Sequence, residues 1–326
     1  MALPLYYDYL SGVRDAIEKD NSDEFIRHVK DVVEWIKFHN NSIQLIIELI
    51  CEFEAVKCAT ALLGGEVDIG QGINISVPFK NDYLRHNRTV LHEAIESPEL
   101  VELFLRHGAP THTKYSFFDQ EENNWKTMIP LTYALHCLRH RNDLFSGWSP
   151  QQSIFTMMIV LCLPKLRKPL KAIALLYRGT KEVEKEIYRY VKESKLFEIA
   201  VLLMAAGEEI ASPTLFQGLC DDFGLPIGSM TLRQFVLKEI DWTKLLRTSY
   251  VDESDERARE YDDDLVKLNS MLLLLDVFEK VGDKIDSFHQ TTEKVTDSQV
   301  ALEMGCLLDS AGLTYEDFPL NGVERF

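Results

Sequence analysis

The chain has 326 residues, 46% hydrophobic and 27% charged, the composition of a folded globular protein rather than of a disordered or fibrous one. With 52 acidic against 35 basic residues its net charge is −17, a field that repels phosphate backbones and anionic headgroups and so argues against nucleic acid as a partner. The longest apolar stretch, 154–163, is too short to cross a bilayer, and residues 1–8 lack the basic region and sustained apolar run of a secretory signal. The expectation is a cytoplasmic protein without a membrane partner; a basic run at 165–171 leaves the nucleus open.

In chain order, residues 6–41 predict a helical pair, with Ile17, Phe25, Val29, Val32, Val33 and Ile36 on apolar faces at helical spacing. Residues 43–50 are apolar nearly all round, as in a buried helix, and 54–63 continue as a second helix that stops at Gly64 and Gly65. Over 67–79, Ile69, Ile73, Ile75 and Val77 alternate with glycine and polar residues, the pattern of a short hairpin. Thr89 then caps a helix carrying Leu91, Ala94 and Ile95. Ser97 and Pro98 start the next one, with Leu100, Val101, Phe104 and Leu105 on its apolar face and Gly108 at its end. Residues 128–134 and 169–174 open two further pairs, separated by a polar insertion at 139–149 and by the basic run, which reads as a solvated loop. A charged helix is expected at 181–195, a helix end at Gly207, and a pair over 213–245. The acidic stretch 252–264 reads as an exposed linker or helix start before a helix beginning near Leu265. The last pair, 265–312, carries a loop over 282–297 and ends at Gly312.

The run Arg88-Thr89-Val90-Leu91-His92-Glu93-Ala94, closed by Leu105-Arg106-His107-Gly108-Ala109, resembles an ankyrin repeat. It matches the family's T-P-L-H-x-A opening with Val90 in place of proline, and Gly64-Gly65-Glu66-Val67-Asp68 resembles the family's G-A-D-V-N ending. The resemblance implies an all-α, ankyrin-like solenoid of stacked helix-turn-helix pairs with insertions, spanning 1–326. Within it, 6–41 is an N-terminal pair, 42–211 the most repeat-like region and 212–326 divergent pairs. It also implies repeat-motif positions at Thr89, Leu91, His92, Ala94, Gly108, Gly207 and Gly312, with His92 in a structural hydrogen-bonding role.

Chemistry is hard to find in the chain. His136 and His140 sit four apart with Cys137 between them, but the neighbourhood offers no third and fourth ligand and no H-E-x-x-H glutamate, so no metal or cofactor is expected. Gly70-Gln71-Gly72 lacks the helix start that a phosphate cradle needs. Nucleophile elbow, phosphate-binding lysine loop and kinase motifs are missing, which argues against an enzyme. Six cysteines without a C-x-x-C pair read as buried free thiols of a reducing compartment. Leu265, Leu268, Leu272 and Leu275 read as a buried helix face rather than a coiled-coil seam, with dimerisation left open.

Aromatic residues in polar surroundings carry more information. Tyr115, Phe117, Phe118 and Trp125 fall where the family places its projecting turn, and Tyr83 and Arg85 precede the neighbouring opening. Such rings either fold back over the stack or are offered to a partner. The expected function is an intracellular interaction module that binds another protein, one with a basic surface, through its concave face and projecting turns. An enzyme or enzyme subunit on a helical scaffold, and a self-associating regulator, are the alternatives; oligomeric state is not legible.

Overall fold

The protein was described from a computed structural model covering residues 10–38, 42–67, 75, 79–81, 86–119, 123–140, 150–221, 224, 226–249, 256–290 and 296–313. Among these residues it is predominantly helical, with fourteen α-helices and two antiparallel strand pairs. Two compact units are formed, one from Met1–Ala134 with Lys171–Lys181, the other from Leu135–Leu170 with Glu182–Phe326. No helix among the described residues is long and apolar enough to cross a membrane.

The first unit opens with three helical pairs: α1 (Ser11–Glu18) with α2 (Ser22–Phe38), α3 (Ser42–Glu52) with α4 (Val56–Leu63), and the short α5 (Val90–Glu93) with α6 (Pro98–Arg106). First helices stack on first helices, α1 on α3 and α3 on α5; second helices do the same, α2 on α4 and α4 on α6. Each apolar face is thereby buried against the next pair, with Ile17, Phe25, Val29 and Ile36 from the first pair and Ile46, Ile47, Ile50 and Leu62 from the second fully covered. Val32 and Val33 are half-buried. Asp20, in the turn between α1 and α2, accepts hydrogen bonds from the N–H groups of Lys57 (2.9 Å) and Cys58 (3.1 Å), so one pair caps the helix of the next.

The third pair follows its sequence signals closely. The Ser97 hydroxyl accepts from the Leu100 N–H at 3.4 Å, Pro98 occupies the first helical position, and Gly108 ends the helix with φ +80°. Leu91, Leu100 and Val101 are fully buried. Leu105 is only half-buried, because its methyls lie over Gly179 rather than inside the stack.

Extended structure occurs at β1 (Phe79–Asn81) paired with β2 (His86–Arg88), and at β3 (Tyr115–Asp119) paired with β4 (Asn124–Met128). Of the hairpin expected over 67–79, residues 68–74 and 76–78 lie outside the described residues. The aromatic segment, expected as a projecting turn, is a five-residue-per-strand ribbon: Tyr115, Phe117 and Phe118 on one strand and Trp125 on the other are residue types that favour extended structure, and Asn123 takes the left-handed conformation (φ +51°).

The remaining helices are α7 (Pro130–His140), α8 (Pro150–Cys162), α9 (Arg167–Gly179), α10 (Val183–Lys192), α11 (Leu196–Ile210), α12 (Leu232–Thr248), α13 (Glu256–Gln290) and α14 (Asp297–Ser310). The basic run is not a loop. A short 3₁₀ turn at Pro164–Leu166 leads directly into α9 at Arg167, because Leu166, Leu170, Ile173 and Leu176 continue a buried face through it. The charged segment forms α10 as expected, burying Ile187, Tyr190 and Val191.

In the second unit α13 packs on α12, α11, α8 and α14, and α8 packs on α14 from the far end of the chain. This differs from the neighbour-on-neighbour order of the first unit. From Glu256 onward the acidic stretch is the start of α13, where Asp262 accepts from Arg247 of α12 at 3.0 Å; residues 252–255 lie outside the described residues. The loop expected from residue 282 is instead helix as far as Gln290: Leu274, Val277, Val281 and Ile285 continue one buried face, and that burial outweighs the weak helix preference of Gly282. Leu268 and Leu275 are buried, whereas Leu265 and Leu272 are half-exposed. Gly65 and Gly312 end helical stretches in the left-handed region like Gly108, but Gly207 does not: it lies inside α11, next to a kink at Ala206 (φ −150°, ψ 42°).

Candidate interaction surface

The candidate surface is built on the junction between β2, α5 and the β3–β4 ribbon, all in the first unit. Thr89 leaves the strand with extended backbone and starts α5; its N–H (3.3 Å) and hydroxyl (2.8 Å) both meet Nδ1 of His92 one turn later. With Nδ1 accepting, the proton sits on Nε2, which donates to the Met128 carbonyl at the end of β4, 3.2 Å away. The neutral ring suits this arrangement. The His92 pKa is lowered to about 4: burial is the main cause, opposed by the bond to the Met128 carbonyl and aided by the positive charge of Arg88.

Around His92 lies an aromatic cluster. Tyr115 (5.4 Å) and Tyr133 (5.5 Å) meet its ring edge-on, Tyr115 stacks on Phe117 at 5.3 Å, and Tyr133 meets Tyr115 and Phe117 at 5.3 and 5.6 Å. Arg88 lies over the Tyr115 ring at 5.0 Å and binds Glu93 through Nη1 at 3.0 and 3.3 Å. Asp119, on the same face of β3, is buried and paired with Lys126 at 2.6 Å. These contacts fix one face of the ribbon.

The other face is open. Phe118 and Trp125 are directly opposed across the strands, 42% and 63% exposed, with rings meeting edge-on at 5.8 Å. Beside them the Ser116 and Thr127 hydroxyls are hydrogen-bonded across the ribbon at 2.9 Å. The alternation of the pleat has sorted the aromatic residues into two sets: Tyr115 and Phe117 inward, Phe118 and Trp125 outward. Tyr115, grouped with the partner-facing rings by its position in the sequence, is 2% exposed and holds the ribbon down. Tyr83 and Arg85 lie outside the described residues.

Sequence reasoning passed over Tyr133, Asp119 and Lys126. Tyr133 follows the Pro-Leu-Thr opening of α7, and Asp119 and Lys126 each directly follow one ring of the aromatic pair, but without knowing that the segment is a ribbon nothing brings them together.

The other chemical candidates offer less. His136 and His140 bond to each other, Nδ1 to Nε2 at 3.0 Å, with rings 4.0 Å apart. Cys51, Cys58 and Cys162 are buried as expected, Cys137 is half-buried, and Cys220 and Cys306 are exposed. Burial pushes the thiols of Cys51 and Cys58 up, that of Cys58 to about 12, so neither is a nucleophile at neutral pH.

The chain matches no family model and no curated protein. The braced ribbon and its open aromatic pair therefore carry the functional argument.

Proposed function

We propose that the chain is a protein-interaction module of ankyrin-like type, docking a partner protein on the outer face of the β3–β4 ribbon. The observation that carries this reading is the Phe118–Trp125 pair. Two large rings are held open to solvent on a ribbon whose opposite face is pinned by His92, Tyr115, Tyr133 and Arg88. Exposed rings on a preorganised element lose little conformational freedom on binding, and such anchors dominate interface energetics. The stacking of the first three helical pairs and the Thr89–His92 turn support the ankyrin-like reading. The net charge of −17 favours a partner that presents basic residues, with steering that weakens as salt rises.

The test is comparative capture from native cells with wild type and with the double variant Phe118→Ala/Trp125→Ala, followed by calorimetry of the purified partner against each single variant. A partner retained by wild type and lost by the double variant, with affinity falling by about 2 kcal/mol or more per ring, is the expected result. A partner bound equally by both proteins would remove the ribbon from the reading.

A further inference from the structure

A cleft of ≈ 510 Å³ opens in the second unit among α11, α12 and α13. Leu203, Ile210, Leu232, Leu275 and Phe278 give it an apolar lining. Two glycines make the space: a β-carbon at Gly207 would meet nothing within 4 Å, and one at Gly282 only Phe278 at 3.7 Å. Gly207 lies beside the Ala206 kink, and Gly282 sits inside a 35-residue helix, where only proline is a poorer helix former. Both walls thus lack a side chain where one would fit.

The rim is charged and unevenly so. Glu208, Glu279 and Asp283 line it against one cation, Arg233. That guanidinium is already engaged, by Asp276 and by Glu279 at 3.0 Å, which leaves it poorly placed to receive an anion. Glu208 and Asp283 make no ion pair among the described residues.

We propose that this cleft is a binding site for a small amphipathic cation, its apolar body against Leu203, Ile210, Leu275 and Phe278 and its ammonium head between Glu208 and Asp283. The volume falls within the range of small-molecule pockets, and the strongly acidic chain raises the local concentration of cations around it. An apolar floor without the rim would accept neutral and charged ligands alike. The carboxylates select for the amine.

Calorimetry with octylammonium, octanol and octanoate, equal in chain length and different in head group, tests this directly. Octylammonium is expected to bind about tenfold more tightly than octanol, with octanoate weakest. Gly282→Leu and Gly207→Leu, which add a side chain to the cleft lining from α13 and from α11 without strained backbone, should each weaken both octylammonium and octanol by at least about tenfold while leaving the melting temperature unchanged or raised. Glu208→Gln/Asp283→Asn should bring octylammonium down to the level of octanol and leave octanol unaffected. Equal affinity for amine and alcohol in wild type, binding that survives both leucine variants, or binding of none of the three would overturn the proposal.

Discussion

His92 and Met128, 36 residues apart, are joined by one hydrogen bond of 3.2 Å that fastens the α5 turn to the end of the β3–β4 ribbon. The ring can serve Thr89 and Met128 together only while neutral, since Nδ1 accepts and Nε2 donates.

That bond gives stability a pH signature. The His92 pKa is about 4 in the folded protein against an ordinary 6.5, so the unfolded chain takes up the proton first as pH falls. Its contribution is fully present above about pH 6.5 and is lost between there and pH 4, amounting to about 3 kcal/mol. Urea titrations of wild type and His92→Gln across this window should diverge: wild type falls with a slope of about 1.4 kcal/mol per pH unit in excess of the variant. Parallel curves would mean that the histidine is not held neutral.

Core packing separates two leucines that look alike in sequence. Leu91→Ala removes a fully buried side chain and should cost about 2–5 kcal/mol, whereas Leu105→Ala, at the half-buried edge over Gly179, should cost about 1–2 kcal/mol. Chemical denaturation of the two variants checks the order as well as the sizes.

Lys126→Met should be destabilising although an exposed ribbon carries it. Asp119 is buried and loses its 2.6 Å partner, at a cost of about 2 kcal/mol or more. Asp119→Asn in the same background should restore part of that loss, because the buried charge that Lys126 helped to balance is gone. Thermal melts of the single and double variants are sufficient.

Trp125→Ala, in contrast, should shift the melting temperature little, the cost staying within about 1 kcal/mol, because the ring touches chiefly Phe118 and solvent. A large loss of stability would place the ring in the fold rather than on a partner.

The helical character of the chain and the third pair were legible because their signals are local: Thr89, Ser97, Pro98 and Gly108 each act within a few residues of themselves. The ribbon was not. Whether Tyr115 faces in and Phe118 out depends on strand register, which a one-residue slip reverses, and the register follows from contacts with Tyr133 and His92. Gly282 misled for the opposite reason: glycine signals a stop locally, and the burial of Val281 and Ile285 on either side overrides it. The cleft was invisible as well, since its lining comes from three helices spread over 80 residues and two of its determinants are missing side chains.

The 35-residue α13 also governs how the second unit comes apart. It is the shared packing partner of α8, α11, α12 and α14, so none of these can leave without uncovering it. Amide protons along those helices should exchange through one common opening, with similar free energies. The first three pairs are linked differently, the first stacking on the second and the second on the third, and a stack of that kind can open from its end while its inner pairs stay closed to solvent.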